Sequence, residues 1–231
     1  MRTVAYLKNL NFYFYALQPS IPAEEPPVID PTATHPLLRE LNDALAIEGT
    51  EPVDWIVCGG TALGILGLLQ RPTRDVDVIS GWSSATLQIV QIDRFPPAGE
   101  RAIVRVADAH PELKSSGISW VNLGPRGLID FGLPPGCTGR LTPCTIGTHL
   151  TLRLPDRRDL IAFKLFAAAD ATHGRQSVHK SDLRAMSPSV EELRFAIDWV
   201  ITIPDSNHQL RAELREFPQE LGHEDLAYYI A

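Results

Sequence analysis

Cysteine is scarce in this chain of 231 residues: Cys58, Cys137 and Cys144 are an odd number with no CxxC spacing. That excludes a disulfide framework and fits a reduced, cytoplasmic protein. Histidine occurs seven times but never as HxH or HExxH, so no zinc site is expected. Basic residues are outnumbered, 21 against 28 acids, and the net charge of −7 excludes broad, non-specific nucleic-acid binding over the whole surface. Long apolar runs are also missing. The aromatic stretch Phe12–Tyr15 follows Lys8, Asn9 and Asn11, with no small-residue cleavage site after it. Neither a signal peptide nor a membrane span is expected there. No GxSxG or Cys–His arrangement points to a hydrolase, and there is neither a P-loop nor a GxGxxG fingerprint.

What is present divides the chain in three. Residues 1–31 read as an arm broken by Pro19, Pro22, Pro26, Pro27 and Pro31. Residues 32–154 read as an α/β core. The pattern predicts a helix over 32–47, strands over 53–58 and 75–79, an apolar helix over 61–69, a short apolar run over 86–92 and a helix over 100–109. Further strands are predicted over 118–123, 127–131 and 148–154, with a Gly/Pro-rich loop over 132–147. Residues 155–231 read as helical. Pro155 and Asp156 open a helix that is apolar on most faces, Ser177–Met186 holds a shorter one, and Ser189 with Glu192 forms a capping-box pattern. Later helical candidates are 211–216 and 225–230. The fold class expected is α/β (α+β), a small mixed sheet followed by a helical C-terminal half.

The chemistry concentrates between Val57 and Ile79. Gly59-Gly60-Thr61 follows a buried strand and precedes a helix, a turn at which the backbone approaches a phosphate closely. The Thr61 hydroxyl is placed either to cap that helix or to touch the phosphate. Asp75 and Asp77 alternate with Val76 and Val78 and share one strand face, their Cβ atoms about 6.5–7 Å apart. Two carboxylates at that spacing suit one Mg²⁺, or two ions about 3.5–4 Å apart.

Gly-Gly, a helix of about ten residues, then Arg71-x-Thr73-x-Asp75-x-Asp77 resembles the signature of the nucleotidyltransferase superfamily that shares the DNA polymerase β-like core. The later runs Asp159-Leu160-Ile161-Ala162-Phe163-Lys164-Leu165 and His179-Lys180-Ser181-Asp182-Leu183 are similar to motifs of its AbiEii/MenT-type toxin branch. The resemblance spans about residues 53–200. It implies a glycine turn that holds the β- and γ-phosphates of a nucleoside triphosphate, paired aspartates that bind Mg²⁺, and a third carboxylate on a neighbouring strand. It also implies an active-site lysine and aspartate, which carry across by motif to Lys164 and Asp182.

Asp130, in the apolar run Leu128–Phe131, is the candidate third carboxylate, either a metal ligand or a general base. Lys164 sits among apolar helical neighbours and needs an anionic partner, which a triphosphate would supply; otherwise it snorkels. Asp182 has Lys180 and Arg184 as alternative partners. Arg71 and Arg74 are candidates for phosphate contact. Arg153, Arg157, Arg158, Lys164, Arg175, Lys180 and Arg184 form a basic segment suited to a triphosphate or an RNA end.

The function expected is Mg²⁺-dependent transfer of a nucleoside monophosphate to an acceptor hydroxyl with release of pyrophosphate. By resemblance the acceptor is a tRNA 3′ end, with protein and small-molecule acceptors open and an antitoxin as a possible partner. The alternative is a catalytically silent nucleotide-binding or protein-interaction module with the same fold.

Overall fold

The computed structural model describes residues 36–69, 73, 75–114, 119–170, 176–204 and 209–226. The proline-rich arm lies outside them, as do Arg71, Arg74 and Arg175. The described residues form a six-stranded mixed sheet with eight α-helices, the α/β (α+β) class expected.

Helix α1 (Leu37–Ile47) leads into β1 (Val53–Cys58), α2 (Gly59–Ile65), β2 (Val76–Ser83), β3 (Gln88–Val90) and α3 (Pro97–Ala109). Then follow β4 (Val121–Asn122), α4 (Gly127–Phe131), β5 (Thr142–Thr145) and β6 (Leu150–Leu154). The chain continues through α5 (Arg157–Ala169), α6 (Gln176–Met186), α7 (Val190–Val200) and α8 (Gln209–Glu220). The sheet order is β3-β2-β1-β6-β5, with β4 also paired to β2. β1 is central, antiparallel to β2 and parallel to β6. Its last four residues are buried, which is why the sequence there is an unbroken apolar run.

α5 is the hub of the C-terminal half and packs on α6, α7, α8 and α2. Asp156 opens it by accepting from Asp159 N at 2.9 Å. The apolar residues of sheet and helices form one continuous buried cluster, so residue 154 marks a change of element type within one core. No helix of the described residues is long and apolar enough to cross a membrane.

The capping box is present as expected. Ser189 Oγ accepts from Glu192 N at 3.2 Å, and Glu192 Oε2 accepts from Ser189 N at 2.9 Å. Arg157 also donates to Glu192 at 2.7 Å, tying α5 to the start of α7. Ser189→Ala is expected to cost about 1 kcal/mol, a lowering of the melting midpoint by about 2–4 °C in a chain of this size, measured by thermal denaturation.

Three expectations need correction. Residues 127–131 form helix α4, not a strand. Pro125 lies in the first positions of a tight 3₁₀ turn (Gly124–Arg126) that runs into the helix, and Gly132, at φ +78°, ends it. The Gly/Pro-rich loop contains an ordered strand, β5, paired with β6. The helix after the glycines already begins at Gly59 and ends at Ile65, short of Leu69, and β2 begins at Val76, so Asp75 immediately precedes the strand.

Candidate active site

Asp77 is the second residue of β2, and Cys58, the last of β1, is its cross-strand partner. Gly59 follows at φ +68°, a conformation that favours glycine. Space demands glycine here as well: a Cβ at this position would stand 2.0 Å from Asp77 Oδ2 and 3.0 Å from its Cγ. The first glycine of the pair is therefore required by the carboxylate that lies against it, whatever else approaches the turn.

Thr61 is fully buried, and its hydroxyl donates to Asp75 O at 2.6 Å. It ties α2 to the loop before β2 and does not present its hydroxyl to a phosphate. This is a correction to its reading as a phosphate contact.

Lys164 and Asp182 meet across α5 and α6. Lys164 Nζ donates to Asp182 Oδ2 at 2.7 Å, with side-chain exposures of 7% and 3%. Lys164 therefore has a protein anion as its partner. The alternative partners of Asp182 are engaged elsewhere: Lys180 pairs with Glu213 and Glu220, and Arg184 with Glu220. His179, one helical turn before Asp182, places Nδ1 3.5 Å from Lys164 Nζ. Its position within the second motif was visible in the sequence, but its contact with Lys164 was not.

Cys58 registers that these parts are neighbours. Burial drives its thiol well above the usual range, the Asp77 carboxylate adds to that shift, and the Lys164 ammonium opposes it. Asp77 stands opposite Cys58 at the C-terminal end of β1, and α5, which carries Lys164, packs on α2 directly after that end, although Lys164 and Asp182 are 87 and 105 residues from Asp77 in the chain.

Asp130 does not join them. It lies exposed on α4, and among the described residues no three His, Cys, Asp or Glu side chains form a metal-holding group. The reading of Asp130 as a third ligand beside Asp75 and Asp77 is corrected accordingly. A strand does neighbour β2 at this level, and it is β4. Asn122, in register with Asp77, donates from Nδ2 to Asp77 Oδ1 at 3.1 Å. Sequence reasoning placed Asn122 in the strand predicted over 118–123 but gave it no role, because its partner Asp77 lies far away in the chain.

Arg71 and Arg74 fall outside the described residues. The basic segment is largely self-neutralised. Arg153 pairs with Asp54 at 2.8 Å, Arg157 with Glu192 at 2.7 Å and Arg158 with Asp156 at 3.7 Å, alongside the pairs of Lys164, Lys180 and Arg184. Nearby, Arg140 Nη2 donates to the wholly buried Asp159 at 2.5 Å, and burial still raises the Asp159 carboxyl above its usual range. This cluster fastens the 132–141 segment to the first turn of α5.

Comparison of the chain with protein-family models, curated proteins and solved structures finds no match.

Proposed function

We propose that the protein is a nucleotidyltransferase, moving a nucleoside monophosphate from a nucleoside triphosphate to an acceptor hydroxyl with release of pyrophosphate. The observation that carries the reading is the convergence at the end of β1. Asp77 packs on a glycine that admits no Cβ, and α5, which holds Lys164 of the buried Lys164–Asp182 pair, packs on the helix that this glycine opens. Structural economy alone does not call for three charged side chains at one end of a central strand, since buried charge is costly unless used or well paired.

The donor chemistry suits Mg²⁺. Asp75 and Asp77 offer only oxygen, and Mg²⁺ is commonly held by one or two carboxylates together with substrate phosphates and water. When bound, it would neutralise phosphate charge.

The chain's own residues have separable tasks. Lys164 carries three N–H donors; one goes to Asp182, and His179 lies within reach of a second, leaving one for a phosphate oxygen. Asp182 holds that ammonium in place. Gly59 and Gly60 let backbone and phosphate approach without side-chain obstruction. Catalysis of this kind comes from positioning and charge stabilisation, with little covalent work for the protein.

The acceptor that the sequence resemblance favours is a tRNA 3′ end. The test incubates the protein with each α-labelled nucleoside triphosphate, total RNA and Mg²⁺. Labelled RNA and pyrophosphate are expected with at least one nucleotide, and both are expected to vanish with chelator. A second reading, nucleotide binding without turnover, has one observation in its favour: Asn122 stands beside Asp77 where an acid would activate an acceptor. Nucleotide binding with no pyrophosphate release on RNA, protein or small-molecule acceptors would establish that reading over the first.

A further inference from the structure

The sheet sets Asn122 beside Asp77 on the side away from Cys58. β4 runs parallel to β2, with Val121 opposite Val76 and Asn122 opposite Asp77. Side chains of paired residues project to the same face. The amide is held at both ends: Nδ2 donates to Asp77 Oδ1 at 3.1 Å, and Gly124 N–H donates to Asn122 Oδ1 at 2.8 Å. A backbone N–H must face an acceptor, so Gly124 fixes which way round the amide lies and leaves its NH₂ toward the carboxylate. Position 124 also has to be small, because a Cβ there would stand 2.8 Å from Asn122 Oδ1. The strand itself is well anchored. The buried Trp120 donates its indole N–H to Ile103 O in α3 at 3.0 Å, and its carbonyl accepts from Val76 N at 2.6 Å.

We propose that Asn122 is a positioning residue that orients the Asp77 carboxylate for a divalent cation. The inference rests on the reading of Asp77 as a cation ligand given above. Asp77 is gripped on two sides, Oδ1 by the Asn122 amide and Oδ2 against Gly59, so the carboxylate meets its ligand already rotated into place. The amide brings no charge.

The experiment is Mn²⁺ titration of the full chain by calorimetry, with thermal melts in chelator as a control for folding. Wild type is expected to bind Mn²⁺. Asn122→Ala is expected to stay folded and bind Mn²⁺ about 10-fold or more weakly, the usual scale for losing a residue that orients a metal ligand. Asn122→Asp is expected to melt earlier in chelator, because two carboxylates then face each other, and to bind Mn²⁺ more tightly than wild type. Wild-type affinity in Asn122→Ala, with binding still lost in Asp77→Asn, overturns the role of Asn122 and spares the reading of Asp77. No Mn²⁺ binding by wild type overturns both. If Asn122→Ala fails to fold, Asn122→Asp decides alone, and unchanged affinity there overturns the proposal.

Discussion

Lys164→Ala is expected to destabilise the protein by about 3–5 kcal/mol, because it leaves the Asp182 carboxylate buried without its ammonium partner. Leu160, Ile161, Phe163 and Leu165 around it in α5 are all buried, so little water can reach the orphaned acid. Against a total stability of about 5–15 kcal/mol this is a large fraction. Lys164→Met keeps the apolar stem and should fare almost as badly, which separates lost charge from lost packing. The double variant Lys164→Met/Asp182→Leu removes both charges together and should recover most of the loss, since a buried ion pair is often no better for stability than apolar residues of similar size. Urea unfolding of wild type, Lys164→Met, Asp182→Leu and the double variant gives the cycle. A Lys164→Ala variant within about 1 kcal/mol of wild type would mean the pair is already solvated and the burial argument fails. The double variant is also the informative one for function. A stable protein that no longer transfers nucleotide indicates that the pair serves the reaction, because stability alone does not require it.

The same pair shows what the sequence could and could not disclose. Lys164 stands out in sequence as a lone cation on an apolar helix, and Asp182 falls in a second motif, so both residues were legible. Their bond was not. Lys180 and Arg184 are each nearer to Asp182 in the chain, and only the packing of α8 reveals that Glu213 and Glu220 engage them instead. β1, with its apolar run ending in Gly-Gly, and the Ser189 capping box were readable because each depends on neighbours within a few residues. Residues 127–131 were not readable. A short apolar segment fits a strand or a helix equally, and here Pro125 upstream and the left-handed Gly132 downstream decide for a helix. Asp130 was misplaced by that one error of periodicity. The role of Asn122 was invisible for a different reason: its strand was predicted over 118–123, but its partner lies 45 residues away.

Asp77→Ala is expected to reduce nucleotide transfer by about 10²–10³-fold or more, the scale seen when one preorganised electrostatic group is removed from a reacting centre, and to abolish Mn²⁺ binding with little loss of stability. Gly59→Ala should produce nearly the same functional loss without changing any charge. Its methyl would stand 2.0 Å from Asp77 Oδ2, and the backbone there, at φ +68°, already disfavours alanine, so the carboxylate must move and about 1–3 kcal/mol of stability should go with it. The two variants distinguish two reasons for a glycine at this turn. If Gly59 serves only to let a phosphate approach, Gly59→Ala should weaken nucleotide binding and leave Mn²⁺ affinity untouched. If it serves to seat Asp77, both should fall together. The combination Asp77→Ala/Gly59→Ala then discriminates further. Trimming Asp77 removes the atoms that the new methyl strikes, so the steric part of the Gly59→Ala penalty should disappear and only the cost of the left-handed backbone, about 1 kcal/mol, should remain. Strict additivity of the two stability losses would show that Asp77 does not rest on Gly59 in solution, and the close approach of carboxylate and turn would no longer explain why the strand ends in glycine.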